Sequence, residues 1–231
     1  MTPQTPASLP ATVLLLALVA AAGCGGEEVL RRGSVDEARA REAAALELAV
    51  LGERAPDFEL ETLAGTRVRL SDYLGKPVVL EWLNPECPFT RAAHEAGTLR
   101  DYPDRVRREG GVWLGVCSSA PRKHGGDREA LRDAVEAWGF THPVLLDPDG
   151  AVGRRFDATH TPQVFLLDER GVLRYVGAVD NQPFNKVRGG GEVQNHLAIA
   201  LGQLRDGRPV EPAVRQAYGS RVKYAQRPLA E

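Results

Sequence analysis

The sequence predicts an α/β domain, a sheet layered with helices, and three observations carry that expectation. From Leu51 onward, short apolar runs of strand length alternate with segments of helical periodicity. Two of the runs, PVVLEWL at 77–83 and VWLGVC at 112–117, are apolar almost throughout, as strands covered on both faces are. Glycine and proline punctuate the joints, at Gly65, Pro77, Gly139, Gly150 and Gly171.

Taken in order, residues 58–60 and 68–70 flank Ala64-Gly65 and read as a short hairpin at the N-terminal edge of the domain. The strand at 77–83 runs into a loop, 84–89, that holds Pro85, Cys87 and Pro88. Residues 90–108 read as one helix and 112–117 as the second buried strand. Asp127 is a plausible N-cap and Gly139 a stop for a helix at 127–138. A short strand at 144–146 ends in the turn Asp147-Pro148-Asp149-Gly150. Strands at 164–167 and 172–176 are joined through Asp168-Glu169-Arg170-Gly171, a hairpin signal. A loop at 181–191 precedes the last helix, 192–204. The domain is expected over 51–207, and the tail from 208 to 231 shows no clear element.

Composition narrows the function. With 29 Lys plus Arg against 31 Asp plus Glu, the formal charge is −2, so no general nucleic-acid surface is expected. The chain has 3 cysteines, Cys24, Cys87 and Cys117, too few for a disulfide scaffold and wrongly spaced for zinc. No metal and no cofactor is expected.

Residues 11–23, ATVLLLALVAAAG, form an apolar run of signal-peptide length, short of the ~20 residues that a spanning helix needs. Ala21-Ala22-Gly23-Cys24 resembles a bacterial lipobox, with Ala21 where that pattern prefers Leu. The resemblance implies cleavage after residue 23, a lipid on Cys24, and an exported domain held at a membrane surface in the cell envelope or periplasm. Residues 24–50 would then be a tether with helical character.

The chemistry is expected at Cys87. A cysteine where a loop turns into a helix has backbone N–H groups and the positive end of the helix dipole directed at its sulfur, and both favour thiolate. Pro88 suits the first helical position. Cys117, inside an apolar run, reads more simply as a packed strand residue.

Three segments together resemble the redoxin branch, the alkyl hydroperoxide reductase/thiol-specific antioxidant (AhpC/TSA) proteins and their thiol–disulfide oxidoreductase relatives. They are Glu53-Arg54-Ala55-Pro56-Asp57-Phe58, then 70–89 ending in Glu81-Trp82-Leu83-Asn84-Pro85-Glu86-Cys87-Pro88-Phe89, then Thr161-Pro162-Gln163-Val164-Phe165. The resemblance implies a thioredoxin-like fold, a central mixed sheet flanked by helices. It implies Cys87 as the attacking thiolate and Pro162 as a cis-proline facing it, with substrate backbone pairing beside Thr161. Glu81 falls at the position of a buried acid suited to proton transfer; a structural, ion-paired role is as good a reading.

Departures from the pattern shape the activity. Where reductases of this kind carry a second cysteine, this chain has Thr90, whose hydroxyl can bond a thiolate but cannot release a mixed disulfide. Asn84 and Pro162 stand where peroxide-reducing relatives carry the Thr and Arg that hold peroxide, with Arg91, Arg154 and Arg155 as candidate substitutes. In the tail, Tyr218-Gly219-Ser220-Arg221-Val222-Lys223-Tyr224 is similar to a segment with cysteine at the third position, held here by Ser220. Cys117 is the remaining candidate to resolve Cys87. His94 and His160 are expected to be a packing and a loop histidine.

The expected activity is thus a thiol-dependent oxidoreductase, acting on a disulfide ahead of a peroxide, with an external thiol protein or small thiol as partner. Alternatives are a one-cysteine peroxidase and a lipid-anchored binding module without turnover. All rest on Cys87 being reachable and facing Pro162.

Overall fold

The computed structural model describes residues 48–187 and 189–226. The expected signal peptide, Cys24 and nearly all of the tether lie outside the described residues. All of the described residues belong to one compact unit.

Nine strands and five α-helices follow one another along the described chain. They are β1 (Glu59–Thr62), β2 (Arg67–Arg69), β3 (Val78–Trp82), α1 (Pro88–Ala96), α2 (Tyr102–Arg108), β4 (Val112–Cys117) and α3 (Arg128–Ala137). Then come β5 (Val144–Leu146), α4 (Ala151–Arg155), β6 (His160–Thr161), β7 (Gln163–Leu167), β8 (Leu173–Gly177), α5 (His196–Arg205) and β9 (Ser220–Arg221). Seven strands make one mixed sheet in the order β2-β1-β5-β4-β3-β7-β8, and β6 pairs with β9 apart from it. β3 is parallel to β4 and antiparallel to β7, with Trp82 opposite Val116 on one side and Gln163 on the other. The expected N-terminal hairpin is β1–β2, Glu59 opposite Arg69.

Every residue of β3 is buried, which is why its sequence is apolar rather than alternating. Val78, Leu80 and Trp82 pack with Leu114, Val116, Phe156 and Phe165. Val79 packs instead with Trp113, Val164, Leu166, Ala93 of α1 and Leu197 of α5. Trp82 is fully buried, with its ring 5.4 Å from Phe156 and 4.9 Å from Phe165, the latter edge-on.

The single helix expected at 90–108 is two. α1 ends at Gly97, where a Cβ would fall 2.2 Å from Asn185 Oδ1; Asn185 reaches in to donate to the carbonyl of Ala92. Pro103 opens α2 in the first turn, where its missing N–H costs nothing. α5 begins at His196 rather than at 192, because Asn195 caps it by accepting from the Ala198 N–H at 2.8 Å. α3 starts as expected, Asp127 accepting from Glu129 and Ala130.

The tail, where no element is expected, is ordered against the domain. Ala213 and Arg215 pair with Val176 of β8, so closely that a Cβ on Gly177 would lie 2.0 Å from the Arg215 carbonyl oxygen. β9 then pairs with β6, His160 opposite Arg221 and Thr161 opposite Ser220. Among the described residues, no helix is long and apolar enough to cross a membrane.

Candidate active site

The loop after β3 is braced before it reaches Cys87. The side chain of Asn84 accepts from the Glu86 N–H at 2.8 Å and donates to Ser119 Oγ at 3.3 Å and to the His124 carbonyl at 3.0 Å. Its polar atoms are spent inside the loop, and the residue is buried. Asn84 is therefore placed to shape the turn rather than to present an amide to a ligand. Cys87 follows as the N-cap of α1, with φ −75° and ψ 119°, and Pro88 continues into the helix.

The sulfur sits between three segments. Its thiol donates to the carbonyl oxygen of Thr161 at 2.9 Å. Ser220 Oγ lies 3.2 Å away; with the one thiol proton directed at a carbonyl, that hydroxyl is the donor to sulfur. Backbone N–H groups of Thr90 and Ser220 also point to it. Burial by itself pushes the Cys87 thiol up. The hydrogen bonds of the Ser220 and Thr161 side chains and of those N–H groups outweigh it, and the net displacement is down, towards thiolate.

Thr161-Pro162 is a cis peptide bond, and the turn is held from within, Gln163 Oε1 accepting from the N–H groups of Thr159 and His160 at 2.9 and 3.1 Å. Cys87, Thr161 and Pro162 are thus brought together. Thr90 joins them through its backbone alone: its hydroxyl is buried and makes no hydrogen bond, so the expected bond from that hydroxyl to sulfur is not formed.

Glu81 points elsewhere. Its two oxygens meet His94 Nε2 at 2.7 Å and Trp113 Nε1 at 3.0 Å, and both Glu81 and His94 are buried. The His94 ring stacks on Trp138, with centroids 4.9 Å apart. Glu81 and His94 therefore tie α1 to the sheet; none of the hydrogen bonds of Glu81 described above runs to Cys87. Cys117 is a free, buried thiol directed at the Gly125 carbonyl at 3.5 Å, pushed up by burial and packed with Leu83, Leu131 and Val144. Of the arginines considered for a peroxide, Arg91 meets Glu95 and Arg154 donates to the carbonyls of Asp149 and Ala225.

One expectation is corrected. Cys87 is not open at the helix mouth: it is 0% exposed. The tail contributes to its covering, because β9 lies on β6 and lays Ser220 over the sulfur beside Thr161. The tail motif around Ser220 was the signal for this contact, but only the pairing of β9 with β6 brings it to Cys87. Beside the covered thiol lies a cleft of about 500 Å³ lined by Phe89, His160, Asp180, Arg215, Tyr218 and Gly219.

A buried thiol at a helix N-terminus, facing a cis-prolyl turn on a mixed sheet, is the arrangement of a thiol-based redox protein of thioredoxin-like fold. Residues 51–176 match the model of the AhpC/TSA family. The chain belongs to that family. It is 28% identical over 161 residues to "Peroxiredoxin Bcp" of Bacillus subtilis, covering 68% of this chain and 95% of that protein. It is 30% identical over 142 residues to "Thiol:disulfide interchange protein DsbE" of Escherichia coli K12, covering 60% of this chain and 70% of that protein. Among solved structures, an uncharacterized conserved protein from Geobacillus kaustophilus superposes with a TM-score of 0.70 at 25% identity, over 79% of this chain and 95% of that one.

Proposed function

We propose that this thiol oxidoreductase works through Cys87, whose thiolate attacks one sulfur of a disulfide. The other sulfur leaves as thiolate, and an external thiol then releases Cys87 from the mixed disulfide. The observation that carries the reading is the position of Cys87 Sγ, at the N-terminus of α1 and 3.2 Å from the Ser220 hydroxyl beside the cis Thr161-Pro162 bond, with its thiol drawn towards thiolate. The resolving thiol comes from outside the chain because Thr90 and Ser220 occupy the two nearby positions where a cysteine would serve, and Cys117 is engaged with Gly125. A peroxide is the second reading, favoured by the covering of Cys87, which admits a small oxidant more readily than a protein disulfide.

The apolar run at 11–23 and Cys24 support export and a lipid anchor, so that the domain meets its partners in the envelope. The test is turnover of a small disulfide, and separately of hydrogen peroxide, with a dithiol as reductant. Cys87→Ser is expected to abolish both and Cys117→Ala to retain at least half of wild-type turnover. Full activity in Cys87→Ser contradicts the proposal, and peroxide turnover without disulfide turnover decides for the second reading.

A further inference from the structure

β9 is an odd strand. It consists of two residues, pairs only with β6, and belongs to no larger sheet. Its ends are fixed: Tyr218 donates to Asp180 Oδ1 at 2.6 Å, and Tyr224 donates to the Ala158 carbonyl at 2.6 Å beneath the Arg154 guanidinium, 4.8 Å from its ring. The span between these anchors passes over Cys87. It fits there because Gly219 has no side chain: at φ +129°, a Cβ would meet the Thr161 carbonyl oxygen at 2.0 Å.

We propose that Ser220 is a positioning residue whose hydroxyl donates to the Cys87 sulfur in the closed state and favours its thiolate once the thiol proton has left the Thr161 carbonyl, and that β9 is a tethered stand-in for the substrate strand, displaced from β6 by the incoming disulfide. This rests on the reading of Cys87 as nucleophile. Two register pairs make a short strand, so Gly219 to Arg221 open locally at far less cost than the domain unfolds, while Val222 stays bonded to the Thr159 carbonyl and Lys223 to the Ala120 N–H. Opening exposes the edge of Thr161 and withdraws the hydroxyl and N–H of Ser220 together. The sulfur thereby loses hydrogen-bond donors as the disulfide arrives, and a less stabilised thiolate is the better nucleophile. Its electron pair forms the new S–S bond, the substrate S–S bond breaks, and the departing sulfur takes its proton from water.

The test uses the full chain. In Ser220→Ala the Cys87 thiolate titration, followed by ultraviolet absorbance against Cys87→Ser, is expected to move up by about one pH unit, and Ser220→Thr to restore it. Gly219→Ala, which pushes β9 off β6 while keeping Ser220 in the chain, is expected to speed alkylation of Cys87 by a bulky maleimide about tenfold, and an unchanged rate overturns the displacement of β9. In Ser220→Cys, oxidised dithiothreitol is expected to close a disulfide between Cys87 and the introduced thiol. An unmoved titration in Ser220→Ala, or no disulfide in Ser220→Cys, overturns the inference while leaving the proposed function intact. Retained turnover in Cys87→Ser sinks the proposed function instead.

Discussion

Removing the imidazole of His94 tests how α1, and with it Cys87, is held to the sheet. His94 and Glu81 are both buried and 2.7 Å apart, and the carboxylate also meets Trp113 Nε1, at 3.0 Å. His94→Ala leaves one oxygen of a buried carboxyl without its partner and takes away a ring packed on Trp138 and on Phe140, 4.7 Å away. Breaking a buried pair from one side costs about 3–5 kcal/mol, a large part of the ~5–15 kcal/mol by which domains are stable. Urea unfolding should show a midpoint lower by about 2 M at an unchanged slope. Glu81→Leu with His94→Leu should recover most of the loss, because no polar group is then left unpaired. A loss below ~1 kcal/mol in His94→Ala, or a double variant as unstable as the single one, would mean that the pair does not hold the helix.

Acid sensitivity and tail attachment follow from two other places. Burial holds the His142 imidazole down, to about 4, so between the ordinary value of ~6.5 and that one the unfolded chain binds a proton the folded chain refuses. Stability is lost as pH falls through that window, by about 2 kcal/mol at pH 5 relative to pH 7. Asp147, raised by burial to about 6, slopes the opposite way, so the measurement is the pH dependence of unfolding in wild type minus that in His142→Leu; parallel curves would contradict it. Gly177→Ala should cost about 2 kcal/mol through its positive φ and the contact with Arg215. The same variant should quicken Cys87 alkylation if the tail loosens with it.

The parts of the fold legible in the sequence were those set by local chemistry. β3 and β4 announced themselves because strands buried on both faces carry apolar residues at every position. Asp127 announced α3 because a cap and its helix are neighbours in the chain, and Cys87-Pro88 marked the start of α1 for the same reason. What stayed hidden depended on distant partners. The break between α1 and α2 falls at Gly97, against which Asn185 packs from a loop that follows β8. Glu81 interrupts an apolar strand, but its partners His94 and Trp113 come from a helix and another strand. The covering of Cys87 by Ser220 joins residues 133 apart through a two-residue strand too short to have a pattern. The place of Cys87 at the head of α1 was thus readable from its own helix, whereas its covering by Ser220 was not.

The pH dependence of Cys87 alkylation by a small reagent, taken in Cys117→Ala, bears most directly on the role given to this sulfur. Its midpoint is expected clearly below the ~8.5 of a free thiol, and the reaction is expected to vanish in Cys87→Ser. A midpoint at or above that value would contradict the thiolate reading, for the sulfur at the head of α1 would then be an ordinary buried thiol.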